Sequence, residues 1–198
     1  MLRREDFAGI KFHPVVKLPD EAVVFDFTQG YNRREVRSAV WGVGRYHEVR
    51  KNMYTAPQYA NRRNIHMGID LWAPARTPVY TAWRGVVVHQ ADHHQPGNYG
   101  PTIVLKHRIA SELFYALHGH LTRDSLEHNP VGKVLQQGVP FAEIGEIDEN
   151  GYWEPHLHYQ ISPRDPGEAD MPGVVAPEDL DEALKLYPDP RLILGNLY

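Results

Sequence analysis

Histidine and aspartate side chains recur at short spacings in two distant parts of the chain. The first part contains His66, Gly68 and Asp70, and the second contains His156 and His158. Because alternate residues of an extended strand share a face, His66 and Asp70 are predicted to point the same way, as are His156 and His158. Gly68 would leave room for an ion between its neighbours. Two imidazoles, one carboxylate and a position open to water make up the ligand set of a catalytic zinc site.

Spacing alone leaves a second interpretation open, that the two histidine pairs are unrelated, because the chain contains 12 histidines. The order of three motifs favours the metal site. These motifs resemble those of the lysostaphin/LytM-type zinc metallo-endopeptidases, and they are His66-x-Gly-x-Asp70, Gly119-His120-Leu121 and His156-x-His158. Similar flanking segments at residues 73–79, 85–88 and 99–107 extend the resemblance over roughly residues 41–162.

The resemblance implies a role for each of these side chains. It assigns His66, Asp70 and His158 as the ligands of one Zn²⁺ ion, and His120 and His156 as a catalytic pair that moves protons and steadies developing charge. Which of the pair is the general base stays open. The implied reaction is hydrolysis of peptide bonds in peptidoglycan cross-links or a related peptide. The chain has no cysteine, so a metal would have to use histidine and carboxylate ligands.

Three further residues are candidates for lining the groove or contacting the ligands. His118 stands where the family usually has an aromatic or small residue, and it would share a strand face with His120 if the strand continued through Gly119. Tyr115 precedes it in the same motif. Arg45 belongs to a glycine-and-arginine stretch similar to the one that walls the family's groove.

Short apolar runs separated by turns predict a mainly β fold. The expected architecture is an antiparallel sheet or sandwich-like metallopeptidase core with a groove, and with short helices in loops and tail. We expect an N-terminal arm at 1–40, a catalytic domain at 41–163 and a C-terminal extension at 164–198 packed on it. Predicted strands lie at 22–27, 79–82, 85–90, 101–107, 112–117, 139–147 and 155–161, and a predicted helix lies at 177–186.

The amino-acid composition and the net charge limit the kinds of partner that the protein is expected to bind. Hydrophobic residues make up 42% and charged residues 23% of the 198 residues, as in ordinary soluble domains. The formal net charge of -4 argues against a nucleic-acid backbone as partner. No run of 18 apolar residues occurs, so no transmembrane segment is expected. The N-terminal basic residues Arg3 and Arg4 are not followed by an apolar segment, so the sequence as given predicts no secretory signal peptide. On that basis the expected location is the cytoplasm. The resemblance, in contrast, implies the cell envelope.

Two other functions fit the same motifs. One is a non-catalytic module that uses the groove to bind a peptide or regulate a partner. The other is an intracellular zinc hydrolase of a small amide, with a groove closed by residues 45–64 and 93–98. In the family a preceding segment can also cover the groove and fill the metal's open position, and Asn32 or His47 could do so here.

Overall fold

An eight-stranded sheet organises the fold of the computed structural model, which describes residues 2–60 and 62–198. Its order is β1-β2-β4-β11-β8-β7-β6-β9, and only β1 and β2 pair in parallel. Two smaller sheets join β10 to β5 and β12 to β3. The strands are β1 (Val23–Val24), β2 (Gly42–Gly44), β3 (Ile65–His66), β4 (Ile69–Trp72), β5 (Pro78–Tyr80), β6 (Gly85–His93), β7 (Gly100–Ile109), β8 (Glu112–Gly119), β9 (Val134–Leu135), β10 (Pro140–Glu143), β11 (His156–Ser162) and β12 (Val174–Val175). The prediction of a mainly β, antiparallel fold is confirmed.

Both faces of the central strands are covered. Alternate residues of β7 enter different clusters, since Ile103 and Leu105 join the main core while Val104 joins a second cluster on the opposite face. Ala169 and Met171 of the C-terminal extension complete that second cluster. A sheet buried on both faces reads as a nearly continuous apolar run rather than an alternating one, which explains the sequence of this strand.

In the described part of the chain, four short α-helices lie outside the sheet. The predicted helix at 177–186 forms as a 3₁₀ turn at Pro177–Asp179 followed by an α-helix. The helices are α1 (Arg33–Ala39), α2 (Arg123–His128), α3 (Leu180–Leu186) and α4 (Arg191–Leu194). No helix in the described part of the chain is long and apolar enough to cross a membrane.

Two strand predictions differ from the structure. The run at 22–27 gives only the two-residue β1, because the chain turns into a 3₁₀ helix at Phe27–Gln29, where Asp26 accepts a hydrogen bond from the Thr28 amide. The run at 139–147 gives only β10, which pairs with β5 outside the main sheet. In both places the apolar run is longer than the hydrogen-bonded strand.

The N-terminal arm joins the main sheet through β1. Phe25 and Phe27, which follow β1, pack against Trp72 of β4, with ring centroids 5.4 and 5.5 Å apart. A Cβ added at Gly42 would overlap the ring of Phe25, so glycine is required there for this close packing. Because Trp72 and Asp70 share a face of β4, the arm packs on the same face of this strand that carries Asp70.

Candidate active site

The candidate ligands come from three strands. The predicted single strand through His66, Gly68 and Asp70 is interrupted at Met67 and Gly68, so His66 ends β3 and Asp70 lies on β4. Asp70 and His158 are direct partners in the antiparallel pair of β4 and β11, which puts both side chains on one face. A Cβ at Gly68 would lie 2.6 Å from Nε2 of His158, so this glycine makes room for the imidazole rather than for an ion.

Three donor atoms of these residues converge in the interior. His66 Nε2 lies 3.3 Å from Asp70 Oδ1, His158 Nδ1 lies 2.9 Å from the same oxygen, and the two nitrogens are 3.1 Å apart. All three side chains are buried. Zinc bonds of about 2.0–2.2 Å at tetrahedral angles separate ligand atoms by about 3.3 Å, so the spacing and the chemistry of this donor set fit zinc.

The outer ring nitrogens orient these two imidazoles. His66 Nδ1–H donates to the carbonyl oxygen of Arg45 at 2.9 Å, and His158 Nε2–H donates to Gln160 Oε1 at 3.0 Å. Each bond leaves the inward nitrogen with its lone pair, which is the form that binds a metal. His66 therefore presents Nε2, whereas His158 presents Nδ1.

The charge states of the ligands also suit metal binding. Burial lowers the pKa of His66 to about 4, so its imidazole is neutral at pH 7. Burial opposes ionisation of Asp70, but the neighbouring His66 and Arg50 outweigh it and hold the pKa of Asp70 well below its usual value. A neutral imidazole and an ionised carboxylate are the states in which these groups bind a cation.

His120 and His156 lie beside the three donor atoms, with ring centroids 4.3 Å apart. His120 follows the end of β8 in a left-handed conformation, with φ of 62°, and its Nδ1–H donates to the Asn150 carbonyl at 2.8 Å. His156 Nδ1–H donates to the Glu154 carbonyl at 2.7 Å, and its ring stacks on Trp72. Burial lowers the pKa of both imidazoles, so each is a neutral base with a free Nε2 at neutral pH.

All five of these residues line one pocket of about 510 Å³. Its walls come from three separate parts of the chain, at residues 53–59 with Arg63, at 97–99 and at 166–174, together with Trp153 and Tyr187. The third wall belongs to the C-terminal extension. Tyr99 connects that wall to the site, because its hydroxyl donates to the Met171 carbonyl at 2.9 Å while its ring lies 5.0 Å from that of His158.

The other predicted site residues lie away from the pocket. His118 does not share a face with His120, because β8 ends at Gly119 and the next residue is left-handed; it packs instead between Phe141 and Tyr159. Tyr115 belongs to the second apolar cluster. The Arg45 side chain donates to the Phe25 carbonyl at 3.0 Å, and only its backbone oxygen contacts a ligand.

Neither residue considered for the metal's open position lies in the pocket. The Asn32 side chain instead accepts hydrogen bonds from the amides of Arg34 and Glu35 and so caps α1. His47 is exposed at a left-handed position. Both side chains are therefore elsewhere in this structure, and neither fills the open position.

The sequence prediction missed Arg50 and Tyr99 as residues of the site. Arg50 is 1% exposed, and its Nη1 donates to Asp70 Oδ2 at 2.6 Å. It lies in a long polar segment, where charged residues are normally solvated, so nothing in the local pattern indicated burial. Tyr99 begins the segment at residues 99–107 that is similar to a segment of the family. Nothing in that similarity indicates that the Tyr99 ring contacts the ligands.

Comparison with known proteins identifies the class. A profile of Peptidase family M23 matches residues 64–169, which is more than half of the chain. The chain belongs to Peptidase family M23. None of the curated proteins matches it.

Several solved structures are similar over part of their length. A zinc-containing peptidase from Vibrio cholerae is 25% identical, with 50% of this chain and 27% of that chain covered and a TM-score of 0.41. The catalytic domain of the prophage-encoded M23 protein EnpA from Enterococcus faecalis is 21% identical, with coverages of 68% and 85% and a TM-score of 0.46. The catalytic domain of the antimicrobial peptidase lysostaphin from Staphylococcus simulans is 16% identical, with coverages of 77% and 98% and a TM-score of 0.48. The chain thus spans about a quarter of the length of the Vibrio cholerae peptidase.

Proposed function

We propose that this protein is a zinc-dependent metallo-endopeptidase that hydrolyses peptide bonds in peptidoglycan cross-links or a related peptide. One observation carries the proposal: the donor atoms of His66, Asp70 and His158 lie within 3.3 Å of one another in a pocket that also holds His120 and His156. The choice of peptidoglycan rests on the resemblance of the motifs to those of lysostaphin/LytM-type enzymes.

His66 Nε2, Asp70 Oδ1 and His158 Nδ1 would hold the ion. Zinc in such a site supplies an acidified water and polarises the scissile carbonyl. The remaining chemistry falls to the histidine pair. One imidazole would accept the proton of the attacking water at Nε2, and the imidazolium so formed would return that proton to the leaving amine. The other imidazole would donate to the developing oxyanion from Nε2 in its protonated form. Because Asn150 and Glu154 each accept from an Nδ1–H, both rings are already oriented with Nε2 free.

The pocket walls suit an extended peptide. Tyr54, Tyr59 and Trp153 give broad apolar surfaces, and Asn98 and Gln58 supply amide groups that can pair with a substrate backbone. Aromatic walls with a few polar groups are the usual composition of a pocket that orients one ligand.

The proposal is tested by elemental analysis of the purified protein together with digestion of purified cell-wall sacculi. We expect one zinc per chain and release of soluble peptide fragments, identified by mass spectrometry. His66→Ala and Asp70→Ala should each remove both zinc and activity, because each deletes one of only three donor atoms. His128→Ala is the matched control, since His128 lies on α2 outside the pocket.

Three outcomes would contradict the proposal in different ways. Full activity of a metal-free His66→Ala protein would refute the assigned site. Bound zinc without cleavage of sacculi or any peptide would favour the peptide-binding module. Cleavage of dipeptides in a library, with no action on sacculi, would favour the small-amide hydrolase.

A further inference from the structure

Arg50 is an interior arginine attached to the candidate metal site. Burying a guanidinium is costly unless its charge is paired and its donors are used. Nη1 donates to Asp70 Oδ2 at 2.6 Å and to the Tyr54 hydroxyl at 2.9 Å, and Nε donates to Glu48 Oε2 at 3.1 Å. Nη2 has no hydrogen-bond partner in the described chain, a desolvation cost that a purely stabilising role does not explain.

The surroundings of Arg50 fix its position. Glu48 is itself buried, and its Oε1 accepts a hydrogen bond from the Phe27 amide at 3.2 Å. The guanidinium carbon lies 5.1 Å from the centre of the Phe27 ring. A Cβ at Gly44 would lie 2.6 Å from Nη2, so only glycine leaves space for this side chain. A continuous series of contacts thus runs from the N-terminal arm through Glu48 and Arg50 to Asp70.

The two oxygens of Asp70 are divided between different partners. Oδ2 is occupied by Arg50, whereas Oδ1 faces His66 Nε2 at 3.3 Å and His158 Nδ1 at 2.9 Å. We propose that Arg50 is a positioning residue that holds Oδ2 and so presents Oδ1 alone as the metal donor. This inference rests on the proposed zinc site.

Charge and orientation predict opposite effects for removal of Arg50. A lone positive charge beside the site would repel a divalent ion, so its loss would tighten metal binding. Arg50 is, however, paired with Glu48 at 3.1 Å, and this pair is neutral as a whole. The orientation effect therefore dominates, because without Arg50 the buried Oδ2 loses its partner and the carboxylate is free to rotate. Loss of Arg50 should weaken binding.

The test compares zinc dissociation constants, measured by competition with a chromophoric chelator, for the full-length protein and its variants. Arg50→Met should weaken zinc binding by about 10- to 100-fold, the usual cost of losing a partner of a metal ligand. Arg50→Lys should also weaken it, because one ammonium cannot contact Glu48 and Asp70 in the geometry of the guanidinium. The absorption spectrum of the Co²⁺-loaded variants should shift relative to the wild type, since it reports ligand geometry.

Asn129→Ala is the control for a general loss of stability. Asn129 is fully buried and donates to the carbonyls of Ser125 and Phe141, away from the pocket. Its variant should be less stable but should keep the wild-type zinc affinity and Co²⁺ spectrum. If Arg50→Met fails to fold, Arg50→Lys and Glu48→Gln carry the test, and Glu48→Gln should also weaken binding because it leaves the charge of Arg50 uncompensated.

Unchanged or tighter zinc binding in the folded Arg50 variants would overturn the inference. The same holds if Asn129→Ala weakens binding as much as they do. A wild-type protein that binds no zinc would instead overturn the proposed function. The two failures are therefore distinguishable.

Discussion

Each of the four imidazoles in the site is oriented by a hydrogen bond at one ring nitrogen. That bond places the ring proton there and leaves the other nitrogen with a free lone pair. Carbonyl oxygens hold His66, His120 and His156 at Nδ1, whereas the amide of Gln160 holds His158 at Nε2. The motifs predict these residue types, because spacing along a chain shows which side chains could meet. They do not predict which nitrogen faces inward, since that depends on acceptors elsewhere in the folded chain, such as the Arg45 carbonyl.

Single substitutions can distinguish the proposed catalytic pair, His120 and His156, from the proposed zinc ligands. His120→Ala and His156→Ala should each retain zinc, because neither residue supplies one of the three converging donor atoms. Each should lower kcat by about 10²–10⁴-fold, the usual contribution of a general acid or base. Steady-state kinetics on a quenched fluorescent peptide, with zinc content measured on the same sample, tests this. Loss of zinc together with activity would show that the residue is a ligand instead.

At the scale of elements, helix α1 of the arm contacts the segment that leads into β11 just before His156. Glu154, two residues before it and 5% exposed, is paired with Arg33 and Arg37 of α1; Arg37 Nη2 lies 3.0 Å from Glu154 Oε1. The Glu154 carbonyl is the group that orients the His156 ring. Helix α1 thus clamps the backbone that positions a catalytic candidate.

Breaking this clamp should affect turnover more than metal binding. The double variant Arg33→Gln/Arg37→Gln should lower kcat by about tenfold, because small displacements of a catalytic group are costly, while zinc content stays the same. Arg34→Gln is the matched control, since Arg34 lies on the same helix and forms no ion pair in the described chain. An unchanged kcat in the double variant would show that β11 alone orients His156.

The sequence predicts some of the helices and strands better than others. The central strands β7 and β8 were expected nearly where they lie, because long apolar runs bounded by turns indicate buried strands. Helix α1 was not expected, because it buries only Val36 and so shows no periodic apolar face. The interruption at Met67 and Gly68 was also missed, since it depends on the approach of the His158 ring from another strand. Features set by distant contacts leave little trace in the local pattern.

For the molecule as a whole, buried histidines couple stability to pH. His107 is 1% exposed, stacks on Phe114 and donates from Nδ1 to the Arg84 carbonyl at 3.2 Å. Burial lowers the pKa of His107 to about 4, from an ordinary value of 6.5. Between these values the unfolded chain binds a proton that the folded chain does not, so folding stability falls as the pH drops from 6.5 towards 4.

Replacing His107 should remove its share of this dependence. In wild-type protein, His107 should contribute up to about 1.4 kcal/mol of lost stability per pH unit in that window. His107→Phe should therefore show a shallower decline. Urea unfolding of metal-free protein at pH 7 and pH 5 measures the two slopes. Equal slopes would mean that His107 is already accessible to protons in the folded state.

The pocket depends on the wall at residues 166–174, to which the Tyr99 hydroxyl is bonded. During translation this stretch is made after the ligands and the histidine pair, beginning at Pro166, eight residues after His158. Because folding proceeds from the N-terminal side as a chain is made, the nascent polypeptide lacks a finished cavity until synthesis has passed these positions. A message cut short before this stretch would consequently yield a chain with an incomplete pocket.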